Sequence, residues 1–190
     1  MIGKLSEREI NEFTPFEIKG NVKYAYNLYI DKGNDYQIYS QWFDHINIFP
    51  LYIFLDVHFY MNEKFEEHCK ENKVDYEYIQ TFEDGFCAFI IVNSKQTFTK
   101  VVPIIDLIST MEDCIVLSTN INAIIIDKEV RIKNGFTKFP ITVNFDQNTT
   151  IFAPTAAGLS LDLFSNEEAY SSFEKIRNNL PETIKLVLND

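Results

Sequence analysis

The stretch LYIFLDVHFY, residues 51–60, decides most of what the sequence predicts about the fold. Eight of its ten side chains are apolar or aromatic. Because alternate side chains of a strand point to opposite faces, one face is wholly apolar and the other is aromatic and polar. The apolar face holds Leu51, Ile53, Leu55, Val57 and Phe59, and the other holds Tyr52, Phe54, Asp56, His58 and Tyr60. This pattern predicts an internal strand of a sheet.

Asp56 and His58 lie on the same face of this strand, about 7 Å apart. Asp56 could orient His58 as a general base, or both could join His45 or His68 around a metal ion. The sequence contains none of the spacings H-x-H, H-E-x-x-H or C-x-x-C that metal sites use. We therefore expect a polar pair that is hydrogen-bonded on a half-buried sheet face. An enzyme or small-ligand binder built on Tyr52, Asp56 and His58 is the alternative.

The residues before this strand predict a short helix followed by a hairpin. Ser6 and Glu9 have the spacing of a capping box. The alternation in residues 22–30, VKYAYNLYI, predicts a strand, and residues 36–43, YQIYSQWF, predict the strand that returns beside it.

The residues after it predict two helices and a second hairpin. Met61, Phe65 and Cys69 recur at helical spacing in residues 61–73. Residues 75–83 and 86–94 predict a hairpin that turns at residues 83–85. The spacing of apolar residues in 103–112, PIIDLISTME, predicts a short helix with Pro103 in its first turn.

The C-terminal half is predicted to be rich in strands. A meander is expected from residues 114–119, 122–127 and 129–134, with a turn at Asn134-Gly135, and further strands from residues 141–145, 149–154 and 183–189. Ser165 and Glu168 have the spacing of a capping box, which predicts a helix that ends before Pro181. Taken together, residues 1–190 predict a single α+β domain, an antiparallel or mixed β-sheet with about three helices packed on it.

The charge and the cysteines restrict the partners and the compartment. The chain holds 28 acidic and 17 basic residues, a formal net charge of −11. Nucleic acids and anionic membranes are bound through clustered cations, so we expect neither as a partner. The widely spaced Cys69, Cys87 and Cys114 predict free thiols, and residues 1–13 lack the apolar core of a secretion signal. We therefore expect a cytoplasmic protein.

The motifs that mark common active sites are missing from the sequence. Ser160 lies in Gly158-x-Ser160-x-Asp162, which lacks the second glycine of a nucleophile elbow. The glycine-rich loops that bind nucleotides do not occur, and we expect no cofactor. An enzyme is therefore the less favoured of the two classes of function.

An acidic segment is the main candidate for a binding site. Residues 63–84 hold eight acidic residues and three lysines, and Tyr76 and Tyr78 alternate with acidic residues. Carboxylates steer a basic partner towards a surface, and tyrosine rings serve as anchors. The candidate partner-binding residues are Glu63, Glu66, Glu67, Glu71, Asp75, Tyr76, Glu77, Tyr78, Glu83 and Asp84. A solvated helix face followed by an ordinary amphipathic strand is the alternative interpretation.

These features predict a small acidic protein that neutralises a basic partner protein by direct binding. In general character the chain resembles bacterial toxin-neutralising immunity proteins and phage-encoded inhibitors of host defence. This resemblance rests on size, charge and the missing catalytic motifs, and it assigns no role to any residue.

Overall fold

The computed structural model describes residues 2–10, 14–30, 36–81, 85–109, 114–126, 132–133, 136–137, 141–154, 160–182 and 184–188. In these residues a nine-stranded sheet carries helices on one face and a small three-stranded sheet on the other. The predicted α+β class, with helices packed on a mixed sheet, is confirmed.

The strands of the large sheet come from the whole length of the chain. The described strands are β1 (Ile2–Glu7), β2 (Glu17–Lys19), β3 (Tyr24–Ile30), β4 (Leu51–His58), β5 (Glu77–Thr81), β6 (Gly85–Val92), β7 (Ile115–Ser118), β8 (Ile124–Ile126), β9 (Ile132–Lys133), β10 (Phe136–Thr137), β11 (Ile141–Asn144), β12 (Thr150–Pro154), β13 (Ser160–Ser165) and β14 (Lys185–Leu188). The order in the large sheet is β14-β1-β3-β13-β12-β7-β4-β6-β5. Only β1 and β14 pair in parallel within it.

Helices cover one face of this sheet and form the larger core with it. The described helices are α1 (Tyr36–His45), α2 (Asn62–Asn72), α3 (Lys95–Ser109) and α4 (Phe173–Asn178). The four apolar side chains of β4 that face them are fully buried, and β4 lies between β7 and β6. The prediction of an internal strand is therefore confirmed. Phe59, however, lies in a 3₁₀ turn beyond the strand and is 48% exposed.

A second, smaller core lies on the other face of the large sheet. The short strand β11 pairs with β2 in parallel and with β8 in antiparallel orientation. Val143 of this small sheet and the neighbouring Phe145 are buried against residues of the large sheet such as Val116 and Phe164. The middle of the large sheet is thus covered on both faces, which the sequence did not predict. The strands β9 and β10 pair with each other alone.

The predictions for the N-terminal region are wrong in two places. Ser6 belongs to the strand β1, which lies between β14 and β3, and not to a capped helix. Residues 36–43 belong to the helix α1 and not to a returning strand. Tyr39, Trp42 and Phe43 are buried by that helix and Ile46 packs against the same core, so the decisive spacing is i, i+3, i+4, i+7.

The helix predicted from Pro103 exists but is longer than expected. α3 begins at Lys95, and the Ser94 hydroxyl accepts a hydrogen bond of 3.2 Å from the Thr97 backbone amide. Pro103 lies inside the helix, on its exposed side. Burial of Phe98 and Val101 in the first half of the helix explains why it extends N-terminally to the proline.

The C-terminal predictions are partly correct. The strands predicted at 141–145, 149–154 and 183–189 are confirmed, whereas the meander is wrong because β7 belongs to the large sheet and β8 to the small one. Ser165 ends β13, a strand that was not predicted. α4 begins later, where the Ser172 hydroxyl accepts a bond of 3.3 Å from the Lys175 amide. The predicted turn at Asn134-Gly135 lies outside the described residues.

Candidate functional site

The predicted acidic residues that the structure describes lie on α2, just after its end, and at the first position of β5. We call those on α2 and just after its end the acidic surface: Glu63, Glu66, Glu67, Glu71 and Asp75. Four of them are exposed, and Glu66 is half-buried. Glu77, the first residue of β5, is also exposed. Among the described residues, no ion pair includes a carboxylate of this surface. Glu83 and Asp84 lie outside the described residues.

The end of α2 brings the two parts of this surface together. Lys73 has a φ of 53°, a left-handed conformation that ends the helix. The Val74 amide then donates to the Cys69 carbonyl at 2.9 Å, and the Val74 side chain is buried. The chain therefore turns back at once, and Asp75 follows directly after α2. Glu77, in β5, pairs with a residue that packs in the smaller core, so its side chain points to the sheet face away from α2.

Tyr76 and Tyr78, the two predicted anchors, pack against α2. The Phe65 ring centroid lies 5.0 Å from that of Tyr76 and 6.0 Å from that of Tyr78. The Tyr78 hydroxyl donates to the side-chain oxygen of Asn62 and also lies 3.2 Å from Glu66 Oε1. Burial raises the pKa of Tyr78, and the Glu66 carboxylate raises it further. The tyrosines thus hold α2 against β5, and their rings are only partly accessible.

Asp56 and His58 lie on the face of β4 that points away from the helices. The His58 ring stacks on the Tyr60 ring at a centroid distance of 5.4 Å, and Tyr60 is 63% exposed. Asp56 lies opposite Cys87 of β6. Among the described residues, no group of three or more histidine, cysteine, aspartate or glutamate side chains could hold a metal ion. A catalytic or ligand-binding role for Tyr52, Asp56 and His58 stays a prediction.

All three cysteines are free and buried, as the sequence predicted. Burial raises the pKa of Cys69 to about 12, with a contribution from Glu66. Burial also raises the pKa of Cys87 to about 12, with a contribution from Asp56. Both thiols are therefore protonated near pH 7, which is the opposite of what a nucleophilic cysteine requires.

A buried polar cluster joins β3 and β13 to the residue after β1. Arg8 and Asp162 form an ion pair whose side chains are 11% and 3% exposed. Asn27 donates to Asp162 Oδ1 at 2.7 Å and to Ser160 Oγ at 3.1 Å. The Arg8 guanidinium also lies 5.2 Å from the centre of the Phe164 ring. Ser160 and Asp162, which the sequence analysis weighed as part of a nucleophile motif, thus belong to a structural network.

A cleft of about 430 Å³ opens where α1 ends. It is lined by His45, Ile46, Asn47, Ile48, Thr119, Glu167, Ala169, Tyr170 and Asn179. Tyr170 is 5% exposed, and burial raises the pKa of its hydroxyl, with a further contribution from Glu167. Of these residues, only His45 was a candidate site residue from the sequence. The lining comes from three distant segments, so no local motif signals the cleft.

Comparisons of the chain with protein-family models, curated proteins and solved structures found no match. Among the described residues, no helix is long and apolar enough to cross a membrane. The proposals below therefore rest on the geometry and the charge of the molecule alone.

Proposed function

We propose that the protein binds a basic protein partner through the acidic surface and inhibits that partner by covering it. The observation that carries this proposal is the cluster of exposed carboxylates on α2 and before β5, which form no ion pairs with other described residues. Free thiols are typical of a reducing compartment, so we place this protein, and therefore the partner that it binds, in the cytoplasm.

Fixed geometry makes these carboxylates useful for recognition. The packing of Phe65 against Tyr76 and Tyr78 joins α2 and β5 into one unit. A prearranged charged surface loses little conformational entropy when a partner docks. Together with the net charge of −11, it attracts a cationic protein over a distance and raises the rate of association. Immunity proteins and anti-defence inhibitors have this general character.

The first experiment identifies the partner. The tagged protein is used to capture proteins from its host, the column is washed at low and then at high salt, and the retained proteins are identified by mass spectrometry. We expect a basic protein at equal stoichiometry that leaves the column as the salt concentration rises, because salt screens attraction between exposed charges.

The second experiment uses that purified partner and a variant of the acidic surface. In Glu63→Lys/Glu67→Lys/Glu71→Lys, three exposed charges on one face of α2 are reversed, while Glu66 keeps its contact with Tyr78. We expect association to slow by about tenfold or more in stopped-flow measurements at low salt.

A matched variant separates local charge from total charge. Asp146→Lys/Glu174→Lys/Glu182→Lys changes the net charge equally at exposed positions outside the acidic surface. We expect its association rate, compared with that of the first variant at about 0.15 M salt as well, to stay within about threefold of the wild-type rate, because the Debye length there is only about 8 Å. Equal slowing of both variants, or no slowing of the first, would contradict the proposal.

A further inference from the structure

We propose that the cleft at the end of α1 binds a small molecule that carries a guanidinium or ammonium group. This inference does not depend on the proposed function, because the cleft and the acidic surface share no residue. It rests on the size of the cleft, the charge of its lining and the position of its neutral polar groups.

The size of the cleft suits a small organic molecule. Its volume of about 430 Å³ lies within the range of pockets that hold such ligands, roughly 300–1,000 Å³. Ile46, Ile48 and Ala169 supply an apolar part of the wall, and the remaining lining residues carry polar atoms. A ligand with a short hydrocarbon chain and a polar end would match both parts.

The charge of the lining favours a cation. Glu167 is the carboxylate of the described lining, and His45 is its one basic residue, because that lining contains neither lysine nor arginine. Lys175, the closest lysine along the chain, is bound elsewhere: its Nζ donates to the Glu168 carbonyl and Ser171 Oγ, and lies 3.6 Å from Glu168 Oε2. Among the described residues Glu167 forms no ion pair, although it is half-buried. A carboxylate in this position gains most from a cationic ligand.

The neutral groups around Glu167 also suit a cation. The cleft lies at the C-terminal end of the ten-residue helix α1, where the helix dipole is negative. Asn47, with a φ of 50°, follows this end, and Asn179 follows the end of α4. Their side-chain oxygens and the Tyr170 hydroxyl are acceptors that a guanidinium, with its five donors, would satisfy.

The test uses agmatine, which carries a guanidinium and an ammonium group but no carboxylate. Binding to the full chain is followed by NMR shifts and calorimetry, with 1,5-pentanediol as a neutral probe of similar length. We expect agmatine to bind with a Kd of about 1 mM or lower, the affinity of a small ligand with a few good contacts. Pentanediol should bind more weakly by at least about tenfold, because it cannot pair with Glu167.

Two neighbouring glutamates provide the variant and its control. Glu167→Gln should weaken agmatine binding by about tenfold, the effect of losing one hydrogen bond to a charged group. Glu168→Gln removes a charge from the adjacent residue, which bonds Tyr24 and Lys175 instead, and should leave the affinity unchanged. The circular dichroism of both variants is recorded to show that they remain folded.

Three results would overturn the inference. The first is the lack of saturable agmatine binding to the wild-type protein. The second is equal binding of agmatine and pentanediol, which would mean that the cleft selects by shape. The third is an affinity for agmatine that Glu167→Gln leaves unchanged, or that both glutamine variants weaken alike. A blocked Gly-Arg-Gly peptide is also tested. If it binds more tightly than agmatine, the ligand of the cleft is an arginine side chain of a protein and not a small molecule.

Discussion

Arg8 and Asp162 form an ion pair that is almost fully buried between the large sheet and the smaller core. Removing two ions from water costs several kcal/mol, so such a pair persists only when the attraction and additional hydrogen bonds offset that cost. Asn27 provides one of these bonds at 2.7 Å. The pair therefore holds the residue that follows β1 in place over β13.

Asp162→Asn should lower the free energy of unfolding by about 3 kcal/mol, because it leaves the Arg8 charge buried without its counter-ion. Urea denaturation followed by circular dichroism measures the change. The control is Asp44→Asn, which breaks the pair with Lys95 at 3.2 Å, where both side chains are about half exposed. That substitution should cost about 0.5 kcal/mol or less. If the two variants lost similar amounts of free energy of unfolding, the buried ion pair would contribute no more to stability than the exposed one, which would contradict this expectation.

Among individual residues, the sequence predicted part of the candidate sites. The acidic residues Glu63, Glu67 and Glu71 of α2 lie on the side opposite to Phe65 and Cys69, so helical spacing alone predicts that they are exposed. The cleft could not be predicted, because Glu167 and Tyr170 reach His45 only through the tertiary fold. The partnership of Arg8 with Asp162 is equally long-range.

Among the elements, the antiparallel pair of β4 and β6 depends on a close approach of two backbones. His58 lies opposite Gly85 in the register. A Cβ atom on Gly85 would overlap the Val57 carbonyl oxygen, which is backbone and not a flexible side chain. The start of β6 thus requires glycine for space, and the register of the two strands depends on it.

Gly85→Ala should therefore lower the free energy of unfolding by about 2 kcal/mol or more, since the strands must separate locally to relieve the overlap. Thermal and urea denaturation measure the loss. Gly3→Ala is the matched control: its Cβ would lie 3.1 Å from Leu186 Cδ2, a mobile side-chain end, and we expect a loss of about 1 kcal/mol or less. An alanine at position 85 that costs no more than one at position 3 would contradict this account.

Elements with an unambiguous pattern were predicted correctly, and mixed patterns were not. β4 and α2 each bury one clear apolar stripe, with periods of 2 and 3.6. Residues 36–43 contain many residues of high strand propensity, yet form α1 because the core offers a place for Trp42 and Phe43. Ser165 has the spacing of a capping-box residue, but it lies in the strand β13 and pairs with β12 instead of capping a helix.

For the molecule as a whole, several buried groups share one dependence on pH. Burial raises the pKa of Cys69 and Cys87 from 9.0 to about 12, and it also raises the pKa of Tyr26, Tyr78 and Tyr170. Below about pH 8 these groups are protonated in both the folded and the unfolded chain. Above it the thiols of the unfolded chain release protons first, so the folded state loses its advantage as the pH rises towards 12.

The contribution of these groups to the free energy of unfolding should accordingly be constant below about pH 8 and fall above it. Urea titrations at several pH values between 7 and 10 measure the curve. In Cys87→Ala the fall between pH 9 and 10 should be smaller by roughly 1 kcal/mol, because one buried thiol no longer contributes. An identical curve for the variant would show that this thiol ionises equally easily in both states.

The strand order and the second layer were beyond the reach of the sequence. A long strand such as β4 can be recognised from its local sequence, but the order of strands in the sheet depends on which distant strands pair, as β3 and β13 do. The small sheet is assembled from β2, β8 and β11, which are too short for a strong pattern.

The parallel pairing of β1 with β14 affects how the chain folds during translation. β1 is synthesised before the other described strands, yet its partner on one side is among the last described segments to emerge, and its partner on the other side, β3, depends in turn on β13. Such distant pairings slow folding, because the entropy of closing a long loop must be lost before the two strands make any stabilising contact. We expect the nascent chain to carry an unfinished sheet edge until β14 has been synthesised, the interval in which it would need chaperones most.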